Sequence, residues 1–231
     1  MHRGRTLTLV LTALYVLQAA AVHAQSCVAD RQGVLVCGEG KAAMRVVAGT
    51  TSPSKEYAFA WRSEQGPPSG RDETPSGVEN LLIRISDGAV LAKLGGKYWA
   101  TEEMRANRAD LLAAWSPDSR AVIEVANSRW DSDSFAYYRI DGATATRLDL
   151  RALVEPVMTA RLPPRNRQGN SFRVREEQPV TLDARGRASF TAMLYVPKSE
   201  TSNDYKVAVN IRTQGGKPSA QVVSMRRVKL D

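Results

Sequence analysis

The stretch 111–140 constrains the fold of this chain most strongly. It contains three short apolar segments, at 111–115, 121–125 and 135–140, separated by polar residues. The first two segments flank the sequence Ser-Pro-Asp-Ser at 116–119. This sequence is typical of a tight turn, because proline fixes φ at the second turn position and aspartate accepts hydrogen bonds from the amides beyond it. Short apolar segments bounded by such turns predict β-strands.

The same alternation of short strands and turns continues along most of the chain. Asp-Gly pairs at 87–88 and 141–142 each lie between two apolar segments, which is a strong hairpin signal. Residues 149–161 carry apolar side chains at three- and four-residue intervals and predict one helix, in which Pro156 is expected to cause a break or kink after Val154. The sequence therefore predicts an all-β fold with one short helix.

The Ser-Pro turn has a second copy. Residues 52–55, Ser-Pro-Ser-Lys, precede the apolar segment 57–61, and an Asp-Gly hairpin follows each copy. The copy at 116–119 resembles part of a blade of the TolB-like and prolyl-oligopeptidase-type β-propellers, in which a Ser-Pro-Asp-Gly turn precedes a strand. This resemblance implies a propeller-like array of antiparallel sheets that serves as a scaffold for binding. With two clear units and a weaker third, an incomplete or irregular array fits as well as a closed ring.

The N-terminus has the pattern of a secretory signal peptide. Arg3 and Arg5 precede the apolar segment 7–21, and small residues then favour cleavage between Ala24 and Gln25, although an uncleaved membrane anchor is the alternative. We interpret 1–24 as the signal peptide and 25–231 as a single β-rich domain, periplasmic or secreted. Its expected parts are a disulfide hairpin (25–40), two propeller-like repeats (41–148), a helix and basic loop (149–179) and a third β unit (180–231). No later segment is long and apolar enough to span a membrane.

Cys27 and Cys37 are the two cysteines of the chain. A turn sequence at 30–33 lies between them, so a hairpin brings them opposite each other. An even pair in an exported protein predicts a disulfide, and the spacing matches neither a redox motif nor a metal site.

The two histidines, His2 and His23, both lie in the predicted leader. The mature chain therefore lacks the side chain needed for Ser-His-Asp or Cys-His catalysis and for the usual zinc sites. We identify no motif for a cofactor. The formal charge of +8 becomes +6 when Arg3 and Arg5 are removed, which suits an envelope protein or an anionic envelope polymer as partner rather than nucleic acid.

Few motifs carry chemistry. Ser52 and Lys55 match the Ser-x-x-Lys pattern of penicillin-recognising enzymes, but that chemistry needs a helix start and here a strand follows, so a chance match is favoured.

Trp130 and Asp131, in a polar loop without a counterpart in the first repeat, are candidate binding residues. A second candidate is the basic cluster Arg165, Arg167, Arg173 and Arg175, for which a solvated loop is the alternative.

These observations favour an exported, non-enzymatic binding or scaffold protein. Two alternatives remain open at this stage. One is a serine-lysine acyl hydrolase that uses Ser52 and Lys55. The other is an inhibitor of an envelope-degrading enzyme such as lysozyme, which the basic charge disfavours because lysozymes are commonly basic.

Overall fold

A computed structural model describes residues 26–67, 75–101, 104–106, 109–197 and 200–230. Within these residues the chain forms three antiparallel sheets and a single α-helix, which confirms the all-β class with one short helix. The predicted signal peptide and its cleavage position lie outside the described residues. No helix within the described part is long and apolar enough to cross a membrane.

Sheet 1 is a meander in which each strand pairs with the next along the chain. Its strands are β1 (Cys27–Ala29), β2 (Leu35–Cys37), β3 (Met44–Val46), β4 (Tyr57–Arg62), β5 (Glu79–Arg84) and β6 (Val90–Lys93). The disulfide between Cys27 and Cys37 joins β1 to β2, as the sequence predicts. The first Ser-Pro turn connects β3 to β4, and Asp87 and Gly88 lie in the turn between β5 and β6.

Sheet 2 is a four-stranded meander with the same order of turns. Its strands are β7 (Asp110–Trp115), β8 (Ala121–Asn127), β9 (Ser132–Asp141) and β10 (Thr144–Asp149). The second Ser-Pro turn connects β7 to β8, and the second Asp-Gly pair lies where β9 turns into β10. Strands β3–β6 and β7–β10 thus repeat one four-stranded plan.

Sheet 3 consists of a broken first strand followed by three long ones. Its strands are β11 (Ser171–Val174), β12 (Thr181–Leu182), β13 (Arg187–Val196), β14 (Thr201–Gln214) and β15 (Lys217–Val228). Both β11 and β12 pair with β13, so they act together as one strand. Strand β11 lies inside the segment 149–179, so the third β unit begins before residue 180.

Helix α1 (Arg151–Thr159) follows sheet 2. Pro156 lies inside it, and the helix continues past the proline rather than ending after Val154, which corrects the expected break. Val154 and Met158 are both fully buried, one on each side of the proline in sequence. Packing of these side chains into the core offsets the loss of one backbone hydrogen bond at Pro156.

The three sheets pack face to face, with sheet 2 in the middle. All seven residues of β8 are buried, because its two faces contact different cores. Val122 faces a cluster shared with Phe59 and Trp61 of sheet 1. Ile123 faces a cluster shared with helix α1 and with Phe190 of sheet 3. Among the described residues no core cluster joins sheet 1 to sheet 3, and the sheets do not close into a ring.

Candidate functional site

The two Ser-Pro turns have the same hydrogen-bond geometry. The amide of Ser52 donates to the carbonyl of Tyr57 at 2.8 Å, and the amide of Ser116 donates to the carbonyl of Ala121 at 2.9 Å. In return, the amides of Tyr57 and Ala121 donate to the serine hydroxyls, at 3.1 Å and 2.9 Å. The serine side chain of each turn therefore closes the corner between the first and second strand of each four-stranded repeat.

The fourth residue of each turn has the left-handed backbone conformation, with φ of 62° at Lys55 and 58° at Ser119. Glycine occupies this position in the propeller turn that the sequence resembles, and only glycine adopts the conformation without strain. The two turns also contact each other, because the amide of Ser54 donates to Oγ of Ser119 at 3.0 Å.

A cleft of about 400 Å³ lies beside these turns and is lined by residues of all three sheets. Tyr57 comes from sheet 1, Arg120 and Arg139 come from sheet 2, and Thr213 comes from the end of β14 in sheet 3. We call it the three-sheet cleft. Its remaining walls are formed by Ile140, Asp141, Gly142 and Gly216.

Two guanidinium groups dominate the charge of the three-sheet cleft. Within the described part of the chain, neither Arg120 nor Arg139 forms an ion pair with a carboxylate. Asp118 lies near both, but its carboxylate accepts hydrogen bonds from the hydroxyl of Ser116 at 2.6 Å and the amide of Arg120 at 3.1 Å. The Ser116 bond lowers the pKa of Asp118. The cleft therefore presents two cations beside the Asp141 carboxylate, an arrangement suited to binding rather than to proton transfer.

Glu124 is the most unusual ionisable group of the described chain, and sequence analysis missed it. It lies in the middle of β8 with no solvent exposure. Its Oε1 accepts hydrogen bonds from the amides of Gly95 and Gly96, at 2.8 and 3.2 Å. Its Oε2 accepts from the hydroxyls of Ser134 and Tyr138, at 2.8 and 2.9 Å. Burial raises the pKa of Glu124.

The role of Glu124 is to join the segment after β6 to sheet 2. A Cβ added at Gly95 would lie 2.6 Å from the Cβ of Ser134, so no larger residue fits there without movement. Because all four contacts of the carboxylate are donors inside the interface, we assign Glu124 to sheet packing. Its sequence signal was a single acid within the apolar segment 121–125.

Ser52 and Lys55 lie in the first Ser-Pro turn and not at the start of a helix. Ser52 is 3% exposed, and its hydroxyl lies within hydrogen-bond distance of Ser54 Oγ and the Tyr57 amide. No hydrogen bond joins Nζ of Lys55 to Ser52 Oγ among the described contacts. The serine-lysine hydrolase stays a prediction to which these contacts add no support.

Trp130 and Asp131 lie in the loop between β8 and β9. Trp130 is 63% exposed and is stacked by the guanidinium of Arg129, 4.6 Å from the ring centroid. Asp131 is engaged within the fold, because it accepts from Arg151 at 3.0 Å and from the amide of Phe172 at 3.0 Å. Of this predicted pair, Trp130 is the one available to a ligand.

The four arginines of the predicted basic cluster lie in different environments. Arg173 pairs with Glu176 and contacts the carbonyl of Ser128. Arg175 pairs with Asp204 at 2.7 Å. Arg167 donates to the carbonyls of Ala160 and Leu162 just beyond α1. Arg165 is exposed and has no ion-pair partner in the described part of the chain. The structure therefore does not bring these guanidinium groups together on one open surface.

Across the described ranges, no three His, Cys, Asp or Glu side chains lie close enough together to hold a metal ion. No family model matches the chain, and no curated protein matches it significantly.

Proposed function

We propose that this chain is an exported, non-enzymatic binding or scaffold protein of the cell envelope. In this proposal its three sheets form an open, propeller-like array, and the three-sheet cleft holds a carboxylate of a partner protein. The observation that carries the proposal is the convergence of all three sheets on one cleft with two guanidinium groups that form no ion pair with any described residue.

The chemistry of the cleft favours a protein ligand over a purely anionic one. Arginine recognises carboxylates through paired hydrogen bonds, so Arg120 and Arg139 suit an acidic side chain or a C-terminus. Asp141 on the same wall suits an amide or ammonium donor next to that carboxylate. A peptide segment carries both groups, and loops and turns at the end of rigid sheets are common places for such binding.

The test is a crosslinking pull-down from an envelope extract, followed by titration of the identified partner. We expect the double variant Arg120→Gln, Arg139→Gln to bind the purified partner at least about tenfold more weakly than the native protein, which corresponds to about 1.4 kcal/mol. Fluorescence or calorimetric titration measures the dissociation constants.

The matched control is the double variant Arg31→Gln, Lys41→Gln, which removes two exposed charges from the sheet 1 end of the stack. It should bind within about twofold of the native protein, because rim charges away from the contact change affinity little. Equal binding by the cleft variant and the control would contradict the proposal. If the captured partner is lysozyme and its activity falls on binding, the inhibitor alternative replaces the scaffold function.

A further inference from the structure

Sheet 3 has one face in the core and one face toward solvent. Phe190, Val207 and Val209 point into the core shared with sheet 2. Along each strand, the residues that alternate with these core positions lie on the opposite face, which we call the outer face of sheet 3. The register aligns three rows across β13, β14 and β15 on this face: Arg187–Asn210–Gln221, Ser189–Ala208–Ser224 and Thr191–Lys206–Arg226.

Two pairs of basic side chains lie on the outer face. Lys206 is directly opposite Arg226 on the neighbouring strand. Arg187 is opposite Asn210, so Arg212, two residues further along β14, is its diagonal neighbour. All four basic side chains are exposed. Like charges directly opposite each other destabilise a sheet, so the Lys206–Arg226 pair costs stability in the free protein.

The carboxylates near this face do not neutralise the basic pairs. Asp204, next to Lys206 on the same face, is held by Arg175 at 2.7 Å. Asp183, in the turn before β13, accepts hydrogen bonds from the amides of Arg185 and Arg187, both at 2.8 Å. Within the described ranges, no ion pair reaches Lys206, Arg226, Arg187 or Arg212.

Neutral polar and small side chains separate the two basic pairs. Asn210 and Gln221 provide carboxamides, and Ser189 and Ser224 provide hydroxyls. The side chain of Ala208, in the centre of the face, is small and leaves room for a ligand between them. Positions 206 and 210 are four residues apart on one strand, or about 13 Å. The outer face thus alternates cation pairs with hydrogen-bonding groups along the strand direction.

We propose that the outer face of sheet 3 binds a linear anionic polysaccharide whose chain follows the strands. The two cation pairs would contact its acidic groups, and the carboxamides and hydroxyls between them would contact its sugar hydroxyls. This surface is separate from the three-sheet cleft, and the inference does not depend on the function proposed for the cleft.

The central rows distinguish this ligand from other polyanions. An inorganic polyphosphate has no sugar hydroxyls, so the carboxamides and hydroxyls between the cation pairs would lack the partners that a polysaccharide offers them. A membrane surface would favour bulky apolar side chains that enter the lipid interface. The outer face instead has serine and alanine side chains in its middle row, and its larger apolar side chains, Met193 and Tyr195, lie beyond the three rows at one end of β13.

The test is a titration of the full chain with polygalacturonate, a carboxylated glycan, and with neutral dextran. We expect binding to polygalacturonate that weakens with added salt, because exposed charges are screened, and no binding to dextran. The variant Lys206→Glu should bind at least about tenfold more weakly. Its thermal midpoint should stay the same or rise, because the introduced carboxylate would face Arg226.

Lys41→Glu is the matched control, since it makes the same change at another exposed lysine, in the 3-10 turn between β2 and β3. It should keep affinity within about twofold of the native protein. Equal weakening of polygalacturonate binding in both variants would show that net charge alone explains the weaker binding, and it would overturn the proposal. A lack of binding at low salt would overturn it as well.

A second variant tests the sugar contacts. Gln221→Ala leaves every charge in place and should weaken binding to polygalacturonate while leaving binding to inorganic polyphosphate unchanged. If polyphosphate or phosphatidylglycerol vesicles bind more tightly than polygalacturonate, or if Gln221→Ala has no effect, the assignment to a polysaccharide is wrong.

Discussion

Lys55 and Ser119 show how a single backbone conformation links the two repeats. Both have positive φ at the fourth position of a Ser-Pro turn, although neither is glycine. A left-handed conformation costs an L-residue about 1–2 kcal/mol. The reciprocal hydrogen bonds between the serine of each turn and the first residues of the following strand maintain this conformation. Sequence comparison of the two turns predicted the corner itself, whereas the strain depends on φ values that only the structure provides.

Replacing Lys55 by glycine should therefore stabilise the protein. We expect Lys55→Gly to raise the free energy of unfolding by about 0.5–1 kcal/mol, because relief of strain exceeds the added chain entropy of glycine. Urea unfolding followed by tryptophan fluorescence measures the change.

Ser119→Gly is the informative comparison, because Ser119 is buried and its Oγ accepts a hydrogen bond from the amide of Ser54. Loss of that hydrogen bond should offset most or all of the gain, since one such bond contributes about 0.5–1.5 kcal/mol. A Lys55→Gly variant that is less stable than the native protein would contradict the assignment of strain.

Glu124 could not be assigned from the sequence for a physical reason. Its four donors come from Gly95, Gly96, Ser134 and Tyr138, which are brought together only when sheet 1 packs on sheet 2. A charged side chain in an apolar strand signals that partners exist, but not which ones.

The raised pKa of Glu124 gives stability a specific pH dependence. The folded state keeps the Glu124 proton over a pH range in which the unfolded chain has lost it, so the contribution of Glu124 falls as pH rises from its ordinary pKa of 4.5 through the raised folded value. Glu124→Gln is neutral at every pH. Its free energy of unfolding relative to the native protein should therefore increase between pH 4 and pH 8.

The measurement is urea unfolding of both proteins at one-unit pH steps. Asp133→Asn is the control, because Asp133 is an exposed carboxylate on β9 of the same sheet. The change of the Glu124→Gln difference with pH is compared with that of this control. A flat difference for Glu124→Gln would show that the buried carboxyl has the same proton affinity in both states.

At the scale of elements, the strands and their turns followed from local sequence because each turn carries its own chemistry. The hairpins at Asp87 and Asp141 and the disulfide between Cys27 and Cys37 needed no long-range information. Helix α1 differed, since its continuation through Pro156 depends on the core around Val154 and Met158. Tertiary packing outweighed the local proline rule there.

Long-range pairing also decides which candidate residues are available to ligands. Sequence analysis placed Arg175 in a basic cluster. Its ion-pair partner Asp204 lies 29 residues away, and the two side chains come together only through the pairing of β13 with β14. The cleft residues Arg120, Arg139 and Thr213 lie on two different sheets and share no local motif. The cleft and the outer face of sheet 3 were therefore beyond sequence analysis, which had indicated only an excess of basic residues.

At the scale of the whole molecule, sheet 2 is the element on which both neighbours depend. It contributes to the two large cores, one on each face, whereas no described core cluster connects sheets 1 and 3 directly. An open stack of this kind transmits a packing defect to the sheet that faces it, unlike a closed ring, in which every sheet has two neighbours.

Adjacent residues of β8 allow a direct test of the open stack. Val122→Ala removes methyl groups from the core shared with sheet 1, and Ile123→Ala removes them from the core shared with sheet 3; each should cost about 2–5 kcal/mol. By hydrogen exchange, Val122→Ala should accelerate exchange in sheets 1 and 2, and Ile123→Ala in sheets 2 and 3. Equal acceleration of all three sheets by both variants would mean that the chain opens only as a whole, because local openings would then cost more than global unfolding.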